Sequence, residues 1–165
     1  MDELARALLE DARKRLVSGY PAQVRAALAA LSDEQVWWRP NGTSNSVGNL
    51  VLHLCGSTRH FVGRGVGGSD YRRDRPREFA EAGPLPREEL LGVLDETVAE
   101  VERVLGGLSP DRLLEVSDRA GDPQTVLALV TRTAHHWAAH TGQVVFAAKA
   151  LRDGAFDELW MKTMR

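Results

Sequence analysis

The apolar residues of this chain recur at three- and four-residue steps, the period of a helix that buries one face. Residues 2–31 carry Leu4, Leu8, Ala12 and Leu16, then Val24, Leu28 and Leu31. Gly19-Tyr20-Pro21 interrupts this stripe, and a kink or short break is expected there because proline removes a backbone donor. Ser32-Asp33-Glu34-Gln35 reads as a capping box, with Ser32 as N-cap and Gln35 at the third helical position, opening a short turn. A second helix starts near Thr43–Ser46, a run of capping residue types, and continues to Arg64 on Val47, Leu50, Val51, Leu54 and Phe61. A third runs from Pro86 to Gly106 on Leu90, Leu91, Leu94, Val98, Val101 and Leu105. Ser109-Pro110 restarts a short helical turn. Asp122-Pro123 suits the N-cap and first position of a fourth long helix, whose stripe includes Val126, Leu129, Val130, Thr133, Trp137 and Val144. The tail reads as a short helix or a strap packed by Trp160.

No alternating strand pattern appears. Four long helices without strands predict an all-α fold, most simply a four-helix bundle. The 165 residues fit one domain, 1–165, with room for a good-sized core. Hydrophobic residues at 43% and charged residues at 27% are ordinary for a soluble globular protein. A net charge of −2 gives no reason to expect a nucleic-acid or anionic-membrane partner. No apolar run approaches the roughly 20 residues that span a bilayer. Cys55 is the single cysteine, so no internal disulfide forms. With an N-terminus, M-D-E-L-A-R, that lacks signal-peptide features, a cytoplasmic setting is expected.

The connection 63–85 holds several glycines, two prolines and many arginines. Arg64, Arg72, Arg73, Arg75 and Arg77 suggest an anion site, but Asp70, Asp74 and Glu78 are interleaved with them. The segment therefore reads as a solvated, salt-bridged loop. The placement of Glu78 cannot be read from the pattern.

Candidate chemistry concentrates in the fourth helix, where three of the five histidines fall: His135, His136 and His140. At about 100° per residue, His136 and His140 lie in the arc of the apolar stripe and His135 lies opposite it. Two inward imidazoles need partners for both ring nitrogens, and a metal ion is one such partner. Histidines four apart on a helix set both rings on one side of its axis. A site needs a third ligand, and the second helix offers His53 and His60. His53 is the better candidate because it borders the apolar stripe. His53, His136 and His140 would make a facial three-imidazole set, with open positions on the ion. The competing reading of each histidine is a satisfied core residue. Trp37, Trp38, Trp137 and Cys55 read as packing residues.

L-S-D-E-Q-V-W-W-R-P, N-S-V-G-N-L-V-L-H-L, D-R-P-R-E-F and H-W-A-A-H-T-G-Q-V together resemble the DinB/YfiT-like superfamily of metal-dependent proteins, over about residues 4–151. The resemblance implies an up-down-down-up four-helix bundle with a three-histidine site for nickel or zinc. Its motif positions fall on His53, His136 and His140, with His135 outside the pattern. Characterised relatives include transferases and isomerases that use a low-molecular-weight thiol such as bacillithiol or mycothiol, held as a thiolate by the metal. Bundles of this superfamily often pair, so a homodimer is expected. Three readings stay open on the sequence. One is an enzyme with a small-molecule substrate, either thiol S-transferase-like or hydrolytic. The second is a non-catalytic metal-binding or stress-response module. The third is a helical interaction protein with structural histidines. No catalytic residue can be named.

Overall fold

The computed structural model describes residues 2–83 and 85–152; Trp160 and the rest of the tail reading lie outside the described residues. Helix α1 (Asp2–Arg13) passes without a break through a π-helical stretch, Lys14–Gly19, into α2 (Tyr20–Ala30). Proline at the start of α2 therefore widens the helix rather than breaking it. A ring at Pro21 would crowd the carbonyl one turn back and cannot donate to it, and a locally wider turn accommodates both effects.

Helix α3 (Asp33–Trp37) begins at the expected capping box of Ser32 and Gln35. Helix α4 (Val47–Thr58) begins at a second one, Ser46 with Asn49, and continues as a π-helical stretch, Arg59–Val66. Helix α5 (Arg75–Ala80) was not expected within the long connection; Asp74 caps it by accepting from the Arg77 N–H at 3.2 Å. Helix α6 (Arg87–Gly106) matches the third predicted helix, with Pro86 as its N-cap. A 3₁₀ turn, Pro110–Leu114, follows.

Two further corrections concern the approach to the last helix. Strands β1 (Val116–Ser117) and β2 (Gln124–Thr125) pair antiparallel, although no strand was expected. Helix α7 (Val126–Leu151) consequently starts three residues later than Asp122-Pro123 predicts, because Gln124 and Thr125 are held extended in that ladder. Thr125 supplies the cap, accepting from Ala128 N–H at 3.2 Å.

The described residues are thus mostly helical. The long segments pack on one another: α2 against α7, and α4 against both α6 and α7. They enclose one apolar cluster that includes Leu16, Leu28, Val51, Leu54, Leu94, Leu129, Trp137 and Val144. Trp137 Nε1–H donates to Thr58 Oγ1 at 2.7 Å, and Thr58 donates in turn to the Leu54 carbonyl at 2.7 Å. A buried indole N–H requires such a partner, so this chain of bonds fixes how α7 is rotated against α4. No helix among the described residues is long and apolar enough to cross a membrane.

Candidate metal centre

The rotation fixed by Trp137 and Thr58 brings the preceding residue, His136, to His53. Their Nε2 atoms lie 2.9 Å apart. His140, one turn further along α7, completes the group: the ring centroids of His53 and His140 are 5.1 Å apart, and those of His136 and His140 are 4.5 Å apart. One ligand atom from each of the three histidines falls within 4.8 Å of the others, so the group can hold a metal ion. His53 is buried and His136 and His140 are half-buried. His135 is exposed, as its helical phase predicts. His60 is held elsewhere, its Nε2 lying 3.0 Å from the Ala120 carbonyl.

Two of the three rings are oriented by a second contact. His53 Nδ1 lies 2.8 Å from Glu78 Oε2. Arg73 grips the same carboxylate with both arms of its fork, Nε to Oε1 at 2.6 Å and Nη2 to Oε2 at 2.7 Å. Arg73 Nη2 also lies 3.0 Å from His53 Nδ1, but a guanidinium only donates. The consistent arrangement has Nδ1–H of His53 donating to Glu78, which leaves Nε2 toward His136. His140 is set the same way: its Nδ1 lies 2.6 Å from Gln143 Oε1, an acceptor, so Nδ1 carries the proton and Nε2 is free to bind. His136 Nδ1 is buried and finds no partner among the described residues.

This donor set fits a divalent ion. Imidazole nitrogens bind zinc at roughly 2.0–2.1 Å, so two of them stand about 2.9 Å apart at the right angle of an octahedral ion and about 3.3 Å apart at the tetrahedral angle usual for zinc. The 2.9 Å separation of the His53 and His136 Nε2 atoms lies at the right-angle spacing and a few tenths of an ångström inside the tetrahedral one. A metal-bound histidine ordinarily donates its other ring N–H to a carboxylate or carbonyl, as His53 does to Glu78 and His140 does to Gln143.

The electrostatics keep the centre ready for a cation. Burial pushes the His136 imidazole down, and the neighbouring His140 and His53 add to this, to about 4. Burial also lowers His140. Burial alone would push the Glu78 carboxyl up, but the hydrogen bonds from Arg73 and His53 outweigh it and leave Glu78 below the usual range. At neutral pH the two α7 imidazoles are therefore unprotonated and Glu78 is ionised.

The sequence reading missed Glu78 and Arg73. Both were assigned to a solvated loop; instead Glu78 is 7% exposed and Arg73 covers it. Asn49 explains how this comes about. It lies one turn before His53 on α4, is fully buried, and donates from Nδ2 to the carbonyls of Glu78 at 3.1 Å and Glu81 at 2.7 Å. Arg39 Nη2 donates to Asn49 Oδ1 at 2.8 Å. Trp37 lies against Gly48, where a Cβ would stand 2.7 Å from the ring, and its Nε1–H donates to the Leu85 carbonyl at 2.9 Å. The W-W-R-P and N-S-V-G-N-L motifs thus clamp α5 to α4, and the clamp delivers Glu78 to His53. Gln143 had a visible signal, sitting three residues after His140 on the same helix.

Cys55 is fully buried, and burial pushes its thiol up to about 12. That keeps the thiol protonated at neutral pH, although Cys55 forms part of the wall of the cavity beside Glu78. This cavity, of about 380 Å³, is lined also by Arg59, Tyr71 and Arg72.

A family model described as a protein of unknown function (DUF1572) matches residues 3–164. No curated protein matches the chain.

Proposed function

The chain belongs to the DUF1572 family of unknown function, and from the histidine cluster we propose that it is a divalent-metal protein in which His53, His136 and His140 hold a nickel or zinc ion. One observation carries the reading: two imidazole Nε2 atoms from different helices face each other at 2.9 Å while Glu78 accepts from the far side of one ring. A carboxylate on Nδ1 with a second imidazole facing Nε2 is the arrangement that an outer partner gives a metal-bound histidine. The motif resemblance to the DinB/YfiT-like superfamily supports the same assignment, along with a single domain over 1–165 and an up-down-down-up bundle.

The reading extends to chemistry of the thiol S-transferase class. When bound, the ion would supply Lewis acidity, holding a thiol in its thiolate form or lowering the pKa of a water to about 7. The chain's own part is to hold and orient. Glu78 fixes the His53 tautomer, Gln143 fixes that of His140, and the low basicity of His136 keeps its lone pair available. The Cys55 thiol stays protonated at neutral pH, which favours a low-molecular-weight thiol supplied from solution over a protein thiol. The small-molecule substrate would approach from the half-buried side formed by His136 and His140. The proposal also takes the protein as a cytoplasmic homodimer, and a monomeric mass by light scattering at micromolar concentration would refute that part.

The test is elemental analysis of protein purified without chelator. About one ion per chain is expected, falling to near zero in the double variant His136→Ala/His140→Ala. Equal metal content in both proteins would defeat the assignment. A thiol-transfer screen of the metal-loaded protein with electrophilic small molecules then tests the reaction class.

A further inference from the structure

A second cavity, of about 350 Å³, is lined by Arg64, Arg72, Arg119, Ser69 and Asp70. Three arginines and one acidic residue share this wall. Arg64 is anchored: its Nε donates to the Arg119 carbonyl at 2.6 Å and its Nη1 to the Tyr71 carbonyl at 3.3 Å. Arg119 is accommodated by a glycine. Gly68 has φ +74, and a Cβ there would overlap Arg119 Nη1, so the bare backbone lets the guanidinium lie against the turn. Neither Arg72 nor Arg119 has a side-chain hydrogen bond or ion pair among the described residues. Ser69 Oγ is buried and likewise finds no partner among them.

Gathering three like charges costs free energy unless something offsets it. Asp70 balances one. A buried hydroxyl without a partner is a second cost at the same place. One ligand class removes both: an oxyanion accepts from guanidinium forks and from a hydroxyl at once.

We propose that this cavity binds a small anion carrying a phosphate or carboxylate group, through Arg64, Arg72, Arg119 and the Ser69 hydroxyl. The site is separate from the histidine centre but joined to it by chain. Arg72 is followed by Arg73, which holds Glu78 and so His53, and Arg72 also lines the cavity beside Glu78.

Isothermal titration calorimetry at fixed ionic strength tests this, with inorganic phosphate and malonate as probes and the metal-loaded protein as sample. At least one probe is expected to bind. Arg119→Gln and Arg72→Gln should each weaken it about tenfold, the size expected for one charge-assisted hydrogen bond. Both side chains are exposed, so these variants keep the fold, and circular dichroism checks it. His140→Ala should leave the binding intact even though it damages the metal centre. Whichever probe binds tells phosphate from carboxylate. The proposal is overturned if neither probe gives heat, if binding survives both arginine substitutions, or if His140→Ala abolishes it.

Discussion

Glu78 and His53 stand 25 residues apart in the chain, yet Oε2 of one lies 2.8 Å from Nδ1 of the other, and both residues are buried. A buried carboxylate is costly unless it is fully paired, and here Arg73 supplies the balancing charge. The pairing makes Glu78 a positioning residue for the histidine centre. Glu78→Gln keeps the volume and removes the charge. Metal affinity is expected to fall about tenfold in that variant and toward a hundredfold in Glu78→Ala, the range for loss of an outer partner of a metal-bound histidine. Competition against a chromophoric chelator measures it. Unchanged affinity in both variants would remove Glu78 from the site.

Gly56 gives the same relationship a steric test. It lies one turn after Leu52 on α4, and a Cβ there would overlap Glu78 Oε1. Gly56→Ala must therefore displace the carboxylate from His53 and Arg73. Overpacking of this kind costs about 1–3 kcal/mol, visible as a lower unfolding midpoint. Metal affinity should fall alongside it. Restored affinity in the double variant Gly56→Ala/Glu78→Ala relative to Gly56→Ala alone would show that the carboxylate was not the positioning group.

The long helices were legible because each has an apolar stripe; of the caps, the Ser32 and Gln35 box of short α3 stands as read, Ser46 falls within the run of capping types at 43–46, and that of α7 is Thr125 rather than Asp122. The inward phase of His136 and His140 followed from the same stripe, through Trp137 and Val144. Glu78 was not legible because nothing local specifies it: it sits on a six-residue helix among arginines, held by the side chain of Asn49 from another element. The β1–β2 ladder was invisible for a different reason. Two residues per strand are too few to display an alternation.

Acid should weaken the metal-free fold. His136, His140 and His60 all have folded pKa values below the ordinary 6.5, chiefly through burial. For a depressed group the unfolded chain binds more protons between the two values, so stability is complete above the unfolded pKa and is lost as pH falls through the folded one. The window runs from about pH 6.5 down to about pH 4 for His136. Glu78, also depressed, extends the loss below the usual carboxylate range. In chelator, the unfolding midpoint at pH 5 should lie well below that at pH 7.5. An equal or higher midpoint at pH 5 would contradict the buried, neutral state of these imidazoles.

The last prediction separates two adjacent histidines that composition cannot distinguish. His135 is exposed and touches neither of the other rings, whereas His136 Nε2 lies 2.9 Å from His53. Exchanging them would require α7 to rotate by about 100°. Such a rotation would pull Trp137, 1% exposed, out of the core and break its bond to Thr58. It would also expose Val144, at a cost of about 1.5–3 kcal/mol for each large side chain. A single relocated ligand does not offset that loss, so the register is fixed by packing and the histidine cluster inherits it. His135→Ala should keep nearly full metal content, and His136→Ala should lose most of it. Both variants should give the helical circular-dichroism spectrum of the parent, because neither imidazole belongs to the apolar cluster. Loss of metal from folded His135→Ala, with retention in folded His136→Ala, would mean that α7 presents its other face to α4.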